Sequence, residues 1–474
     1  MQTPPDTPHT LDRFSIRRAP LVFLLLLAGL GIRLYPVFQL DIEPRGDREL
    51  LVSLLADEWR SNWSYSLEGH PTAVMMPVYP VVVGLLRWVM PDSWTPLLVL
   101  QALLGTLAAW FVFRIAWRIS RIPGVAWGTF FLCLFYPPLI LLGLKIEPGM
   151  LYAFSLAFGI WLLSFTLVRT APLAHILLAA FLFMGVIYLS PKILILIPFL
   201  AVWAGLKSYD RLTGMLGAFA LCLACIVCLM PWMARNFIST GGFIPLTTGF
   251  VAPLQQSLAD AGGPSVYAAA NTPGQDESLR YHAGLNALFQ QIRETTPRVW
   301  GRIFLRGFPF WITSYPGLLP GAGSGGPGGG AAGLESSLVY RGLFLSLTVS
   351  LLLLVLVGIA AAFFNLSAWM LLAVLFLATL SDVVMGNPAY DHLAVWPYFA
   401  IFISWGGWIL VAWILAPALK ARKDARQAPG SPSVTFEATP LPYGDLEPIR
   451  APRLKPSEKS SPETDEEERI GPIF

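Results

Sequence analysis

Residues 41–80 read DIEPRGDRELLVSLLADEWRSNWSYSLEGHPTAVMMPVYP. This polar stretch follows an apolar run from Leu21 to about Leu40 and precedes the next long one, which begins near residue 95. It carries acids, bases, a histidine and several aromatic residues in a chain of 474 residues that is 55% hydrophobic and 13% charged. A soluble domain carries roughly 25% charged residues. Halving that share means that lipid replaces water over much of the surface. The stretch therefore reads as a water-facing loop of a membrane protein. Its end, near 78–90, is short and interrupted by Pro80 and Arg87, so it reads as an interfacial or re-entrant helix. Counting it as a crossing would carry Arg118 and Arg121 to the outside, against the positive-inside rule.

A membrane helix needs about 20 apolar residues. About ten candidates fall near 20–40, 95–117, 124–145, 149–168, 172–190, 193–206, 213–232, 341–363, 367–385 and 394–416. The expected fold is an all-α polytopic membrane protein with an outer first loop carrying short interfacial helices. With the N-terminus inside, Arg13, Arg17, Arg18, Arg118, Arg121, Arg169, Lys207, Arg211 and the basic segment 420–426 all fall on the cytoplasmic side. The 41–94 loop, the turns at Glu147 and Lys192 and the segment 233–340 then face outward.

The resulting parts are a cytoplasmic segment 1–19, a transmembrane module 20–232, an outer segment 233–340, terminal membrane helices 341–416 and a cytoplasmic tail 417–474. The outer segment is expected to hold helices over 272–291 and 298–311 and a low-complexity run GAGSGGPGGGAAG at 321–333. The tail, rich in Pro, Ser and charge, reads as disordered. No cleavable signal is expected, because the first apolar run has no small-residue cleavage site at its end. A net charge of +3 offers no argument for a nucleic-acid partner. Cys133, Cys222, Cys225 and Cys228 lie in apolar runs without His or carboxylate neighbours, and read as packing residues.

Ionisable residues at membrane depth default to functional hypotheses, since they are costly there. Asp47 stands before a short amphipathic stretch and is either a reacting acid or a helix cap. Glu147 begins a span from outside, where a carboxylate also complements the helix dipole. Lys192 begins another; a cation there opposes the dipole and calls for an anion such as a phosphate. Arg235 and Asn236 sit where a span emerges, and His392 where the last span begins. All fall on one side of the membrane, so one outer site built from several helix ends is expected. Asp41, Glu43, Asp57, Glu58 and Glu68 read as a solvated face.

The motifs resemble those of the GT-C glycosyltransferases, in particular bacterial relatives of the protein mannosyltransferases and of the lipid A aminoarabinose transferase. Gly46-Asp47 matches G-D-x-x-Y, with Leu50 in place of Tyr, and Pro71–Pro80 matches P-T-A-Y-R-P-P-L-Y-P, with Met75 in place of Arg. Tyr136-Pro137-Pro138 with Glu147-Pro148 is similar to Y-P-P…T-E-P. Ser190-Pro191-Lys192 stands where T-R-P is usual. Trp232–Asn236 with Gly241–Leu246 matches W-x-x-R-N…G-G-F-x-P-L, and Tyr390-Asp391-His392 takes the place of R-Y-R-x-P.

The resemblance implies an inverting transferase that moves a sugar from a polyprenyl-phosphate donor to a hydroxyl of a lipid, glycan or protein. It implies Asp47 as catalytic base. Glu147, Lys192, Arg235, Asn236, His392, His70 and Tyr79 are then the expected substrate-binding residues. No metal-ligand set is visible and no cofactor is required, although Glu147 could help hold a divalent cation. The expected place is a bacterial inner membrane with both termini cytoplasmic and the site periplasmic. A transporter, flippase or non-catalytic binder of a lipid-linked glycan is the alternative.

Overall fold

The computed structural model describes residues 19–40, 42–44, 46–164, 173–207, 211–262, 277–304, 338–365, 367–385 and 391–427. Contacts divide the chain into two units, Met1–Ala416 and Pro417–Phe474, and the side chains considered below belong to the first. The low-complexity run 321–333, residues 305–311 of the segment expected to form a basic outer helix and the tail beyond 427 lie outside the described residues.

Each apolar stretch singled out in the sequence carries a helix. In chain order they are α1 (Ala19–Gln39), α2 (Asp47–Asn62), α3 (Val78–Val89), α4 (Thr95–Ser120), α5 (Pro123–Phe135), α6 (Pro137–Leu142), α7 (Gly149–Leu163), α8 (Leu173–Leu189), α9 (Leu196–Lys207) and α10 (Arg211–Thr240). They continue with α11 (Val251–Asp260), α12 (Glu277–Glu294), α13 (Leu338–Ala362), α14 (Trp369–Met385) and α15 (Asp391–Gln427). Among the described residues four spans are long and apolar enough to cross a membrane: Pro20–Gln39, Thr95–Ser120, Gly214–Thr240 and Leu393–Pro417. The chain is a multi-pass helical membrane protein. α5, α7, α8, α9 and α14, with 12 to 17 residues each, are shorter than the spans the sequence reading expected. α3, with 12 residues, is about 18 Å long and too short to cross.

The core packs α4 against α1, α5 and α7, then α7 against α8, and α8 and α9 against α10. Among the described residues the departure from all-α is a small hairpin in the first loop, β1 (Ser66–Leu67) paired with β2 (His70–Pro71). Its two-residue turn has positive φ at Glu68 (53°) and Gly69 (81°), the geometry that suits the twist of a hairpin.

The expected single span over 124–145 is broken at Tyr136 into α5 and α6. Pro137 and Pro138 lack N–H groups, so the carbonyls four residues earlier, on Cys133 and Leu134, lose their helical donors. Arg33 of α1 supplies them. Its Nη1 donates to the Leu134 carbonyl at 2.7 Å and its Nη2 to that of Cys133 at 2.8 Å. Arg33 is only 3% exposed. One guanidinium fork thus replaces two backbone donors, and α1 is tied to the break.

α13 and α15 cross at a pair of glycines. A Cβ on Gly406 would strike the Leu354 carbonyl oxygen and come within 3.1 Å of the Gly358 nitrogen. Backbone cannot yield as a flexible side chain does, and small residues are what let membrane helices approach this closely. Gly406→Val should lower stability by about 1–3 kcal/mol. Thermal unfolding in detergent checks this, with Gly407→Ala as the silent control, because nothing lies within 4 Å of a Cβ there.

Candidate functional site

α2 begins with Gly46 as N-cap and Asp47 as its first helical residue, so Asp47 enters the helix and leaves the cap to its neighbour. Residues two apart in a helix point about 200° away from each other. Asp47 is therefore exposed while Glu49 is buried, at 5% exposure. The Glu49 carboxylate accepts from the Gly46 N–H at 3.4 Å through Oε2 and from the Ile146 N–H at 3.2 Å through Oε1. Arg48, between them, reaches the Glu147 carboxylate at 3.8 Å. Glu147 is nearly buried, with a side-chain exposure of 7%. The first turn of α2 and the turn before α7, about a hundred residues apart in sequence, thus meet through two charged side chains.

Tyr79, near the start of α3, is the third member. It is 1% exposed, and its hydroxyl has no hydrogen-bond partner among the described residues. Burial pushes its phenol well above the ordinary range; the Glu147 and Glu49 carboxylates push the same way and Arg48 opposes them. The hydroxyl therefore stays protonated and available as a donor. α3 is fixed against α2 by Arg87, whose Nη1 donates to both Asp57 oxygens at 2.6 and 2.7 Å and whose guanidinium lies over the Trp94 ring. Asp57, expected on a solvated face, is instead half of this clamp. Glu58 also holds structure, accepting from Asn62 and Ser66.

Arg235 and Asn236 sit in the last turns of α10, which extends beyond the expected end at 232. Their donors go mostly to backbone. Arg235 donates to the Thr72 carbonyl at 2.7 Å and to that of Tyr65, and lies over the rings of Tyr65 and Trp232. Asn236, fully buried, donates to the Ile244 carbonyl at 3.0 Å and accepts from Arg235. Trp232 donates to the Leu246 carbonyl.

The segment 72–76 is strapped down from three sides. Thr248 donates its N–H to the Ala73 carbonyl at 2.9 Å, and the Tyr65 hydroxyl donates to the Met75 carbonyl at 2.9 Å. From α12, Glu277 accepts from the Thr72 hydroxyl, the Ala73 N–H and the Thr248 hydroxyl. Burial raises the Tyr65 phenol, Arg235 pulls it down and Glu277 adds to the rise.

Of the expected site residues, Glu147 and Tyr79 come together beside the first turn of α2, where Asp47 stands exposed. Arg235 and Asn236 form a second group around the 65–76 strap. His70 is exposed on β2. Lys192 lies in a 3-10 turn, Pro191–Ile195, and His392 in the first turn of α15; both side chains lie outside the described residues. α15 meets the Tyr136-Pro137 break, since the Trp396 and Tyr136 rings stack with centroids 3.7 Å apart. Among the described residues no group of three or more His, Cys, Asp or Glu side chains could hold a metal ion.

The residues that sequence reasoning missed are Arg33, Arg48 and Glu49. An arginine inside an apolar run was a signal for Arg33. The signal for Glu49 was its place three residues after the Gly46 cap, where an acid reaches back to the cap N–H.

No family model matches the chain, and no curated protein matches it. Among solved structures, the crystal structure of ArnT from Cupriavidus metallidurans bound to undecaprenyl phosphate is similar, with a TM-score of 0.37 and 13% identity over 85% of this chain and 80% of that one.

Proposed function

We propose that this chain is an inverting glycosyltransferase of GT-C type, using a polyprenyl-phosphate sugar at the outer face of a bacterial inner membrane. In this reading the ten apolar helices are its spans and both termini are cytoplasmic. The observation that carries it is the meeting of the first outer loop with the Lys145–Glu147 turn, through Arg48 to Glu147 and Glu49 to Ile146. That junction lies beside the Gly46-Asp47 and Glu147-Pro148 motifs, which resemble the sugar-transfer elements of the GT-C glycosyltransferases.

In the step proposed, the Asp47 carboxylate takes the proton from an acceptor hydroxyl on a lipid, glycan or protein. The hydroxyl oxygen forms the new bond to the anomeric carbon. The bond from that carbon to the phosphate oxygen breaks, and the polyprenyl phosphate leaves with the electron pair. Arg48 and Lys192 are the cations nearest in role to that growing charge. Glu147 and the Tyr79 hydroxyl hold the sugar. Arg235 and Asn236 act by holding the strap beneath it, and His70 and His392 remain binding candidates from the resemblance. The step written here needs no cofactor; a divalent cation near Glu147 would be an addition to it.

A second reading is a protein that binds a lipid-linked glycan without transferring the sugar, or that carries it across the membrane. The engagement of Arg235 with backbone carbonyls favours it, since that guanidinium is already committed.

The test is turnover by the full-length chain in nanodiscs with a panel of polyprenyl-phosphate sugars. Asp47→Asn should lower kcat by about 10²–10⁴. Undiminished turnover by the folded variant removes Asp47 as base. Tight binding of the donor lipid without product supports the second reading.

A further inference from the structure

We propose that Glu49 is a positioning residue of this site, setting where the Glu147 carboxylate stands relative to the first turn of α2; the role in transfer rests on the reading above. A buried carboxylate is costly unless its oxygens are hydrogen-bonded. Glu49 places one oxygen on its own helix N-terminus, at Gly46, and the other on the Ile146 N–H. That amide belongs to Ile146, the residue immediately before Glu147. The carboxylate thus joins the strand of backbone that carries Glu147 to the helical turn that carries Asp47.

Arg48 adds a charge contact to the same partner turn, and the Tyr79 phenol lies close enough to both carboxylates for each to act on it. Glu49 therefore has a defined reach as well as a charge. An acid one methylene shorter keeps the preference of a helix N-terminus for negative charge, yet withdraws from Ile146.

The experiment uses the full chain in nanodiscs with Glu49→Gln, Glu49→Asp and Glu49→Ala. Its first arm needs no activity: the rate at which a water-soluble carbodiimide modifies the Glu147 carboxyl, read by mass spectrometry. Freeing the 145–147 turn should raise that rate about fivefold or more in Glu49→Asp and Glu49→Ala, while Glu49→Gln, whose amide oxygen still accepts from Ile146, stays within about twofold of wild type. If the alanine variant does not fold, the aspartate variant carries the comparison. Unchanged modification of Glu147 in a folded Glu49→Asp protein overturns the proposal.

The second arm is turnover of the sugar panel. Glu49→Asp should lower kcat about tenfold with KM within about threefold, and Glu49→Gln should recover most of it. A uniform loss in all three variants in proportion to their unfolded fraction would mark Glu49 as merely structural and overturn the proposal. Absence of turnover by the wild-type chain would sink the transferase reading, while the modification arm still decides whether Glu49 positions Glu147.

Discussion

Arg235→Met should lower the stability of the outer region by about 3 kcal/mol, the cost expected when two carbonyls lose donors from a charged group. The guanidinium is the bridge between α10 and the first loop, 163 and 170 residues away in sequence at Thr72 and Tyr65. It also lies 5.5 Å from the Tyr65 ring centroid and 5.2 Å from that of Trp232, so methionine loses cation–π contacts as well. Arg235→Lys should recover less than half of the loss, because a single ammonium cannot reproduce the planar fork. Thermal unfolding in detergent gives the size. Limited proteolysis gives the place, with new cleavage expected in 65–76 first. Cleavage elsewhere at unchanged melting temperature would mean that the strap is held without Arg235.

Arg33→Met should be comparably severe, about 3–5 kcal/mol, for a different reason. The variant leaves the Cys133 and Leu134 carbonyls without donors at a point where prolines cannot provide them. Inside lipid no water is at hand to compensate. A paired change tests the cause. Replacing Pro137 and Pro138 by alanine restores two N–H groups, and in that background the loss from Arg33→Met should shrink by more than half. If the two effects simply add, the guanidinium is serving something other than the break.

The helices were legible because long apolar runs leave few alternatives in a bilayer. The break between α5 and α6 was less so. Pro137-Pro138 stood in plain view, but the residue that makes a break tolerable lies in another helix. The first loop was recognised as the polar centre of the chain, and Glu147 and Tyr79 were both singled out. Which acid of α2 turns inward was not readable, because it depends on the register at which the helix starts. Beginning at Asp47 sends Glu49 inside and Asp47 outside. The W-x-x-R-N element was found, yet its arginine was expected to bind substrate. Its partners in the structure are carbonyls, which every residue carries and which no motif can display.

The tie between Arg33 and the proline break also bears on how the chain is made. Arg33 leaves the ribosome 100 residues ahead of Cys133. At about 5–20 residues per second, the first helix waits some 5–20 s before the carbonyls that neutralise its polarity are synthesised. Until then its cationic side chain has to stay hydrated, near a headgroup or in the insertion channel. Full embedding of the N-terminal helix is therefore a late event, completed by the α5–α6 break made well after it.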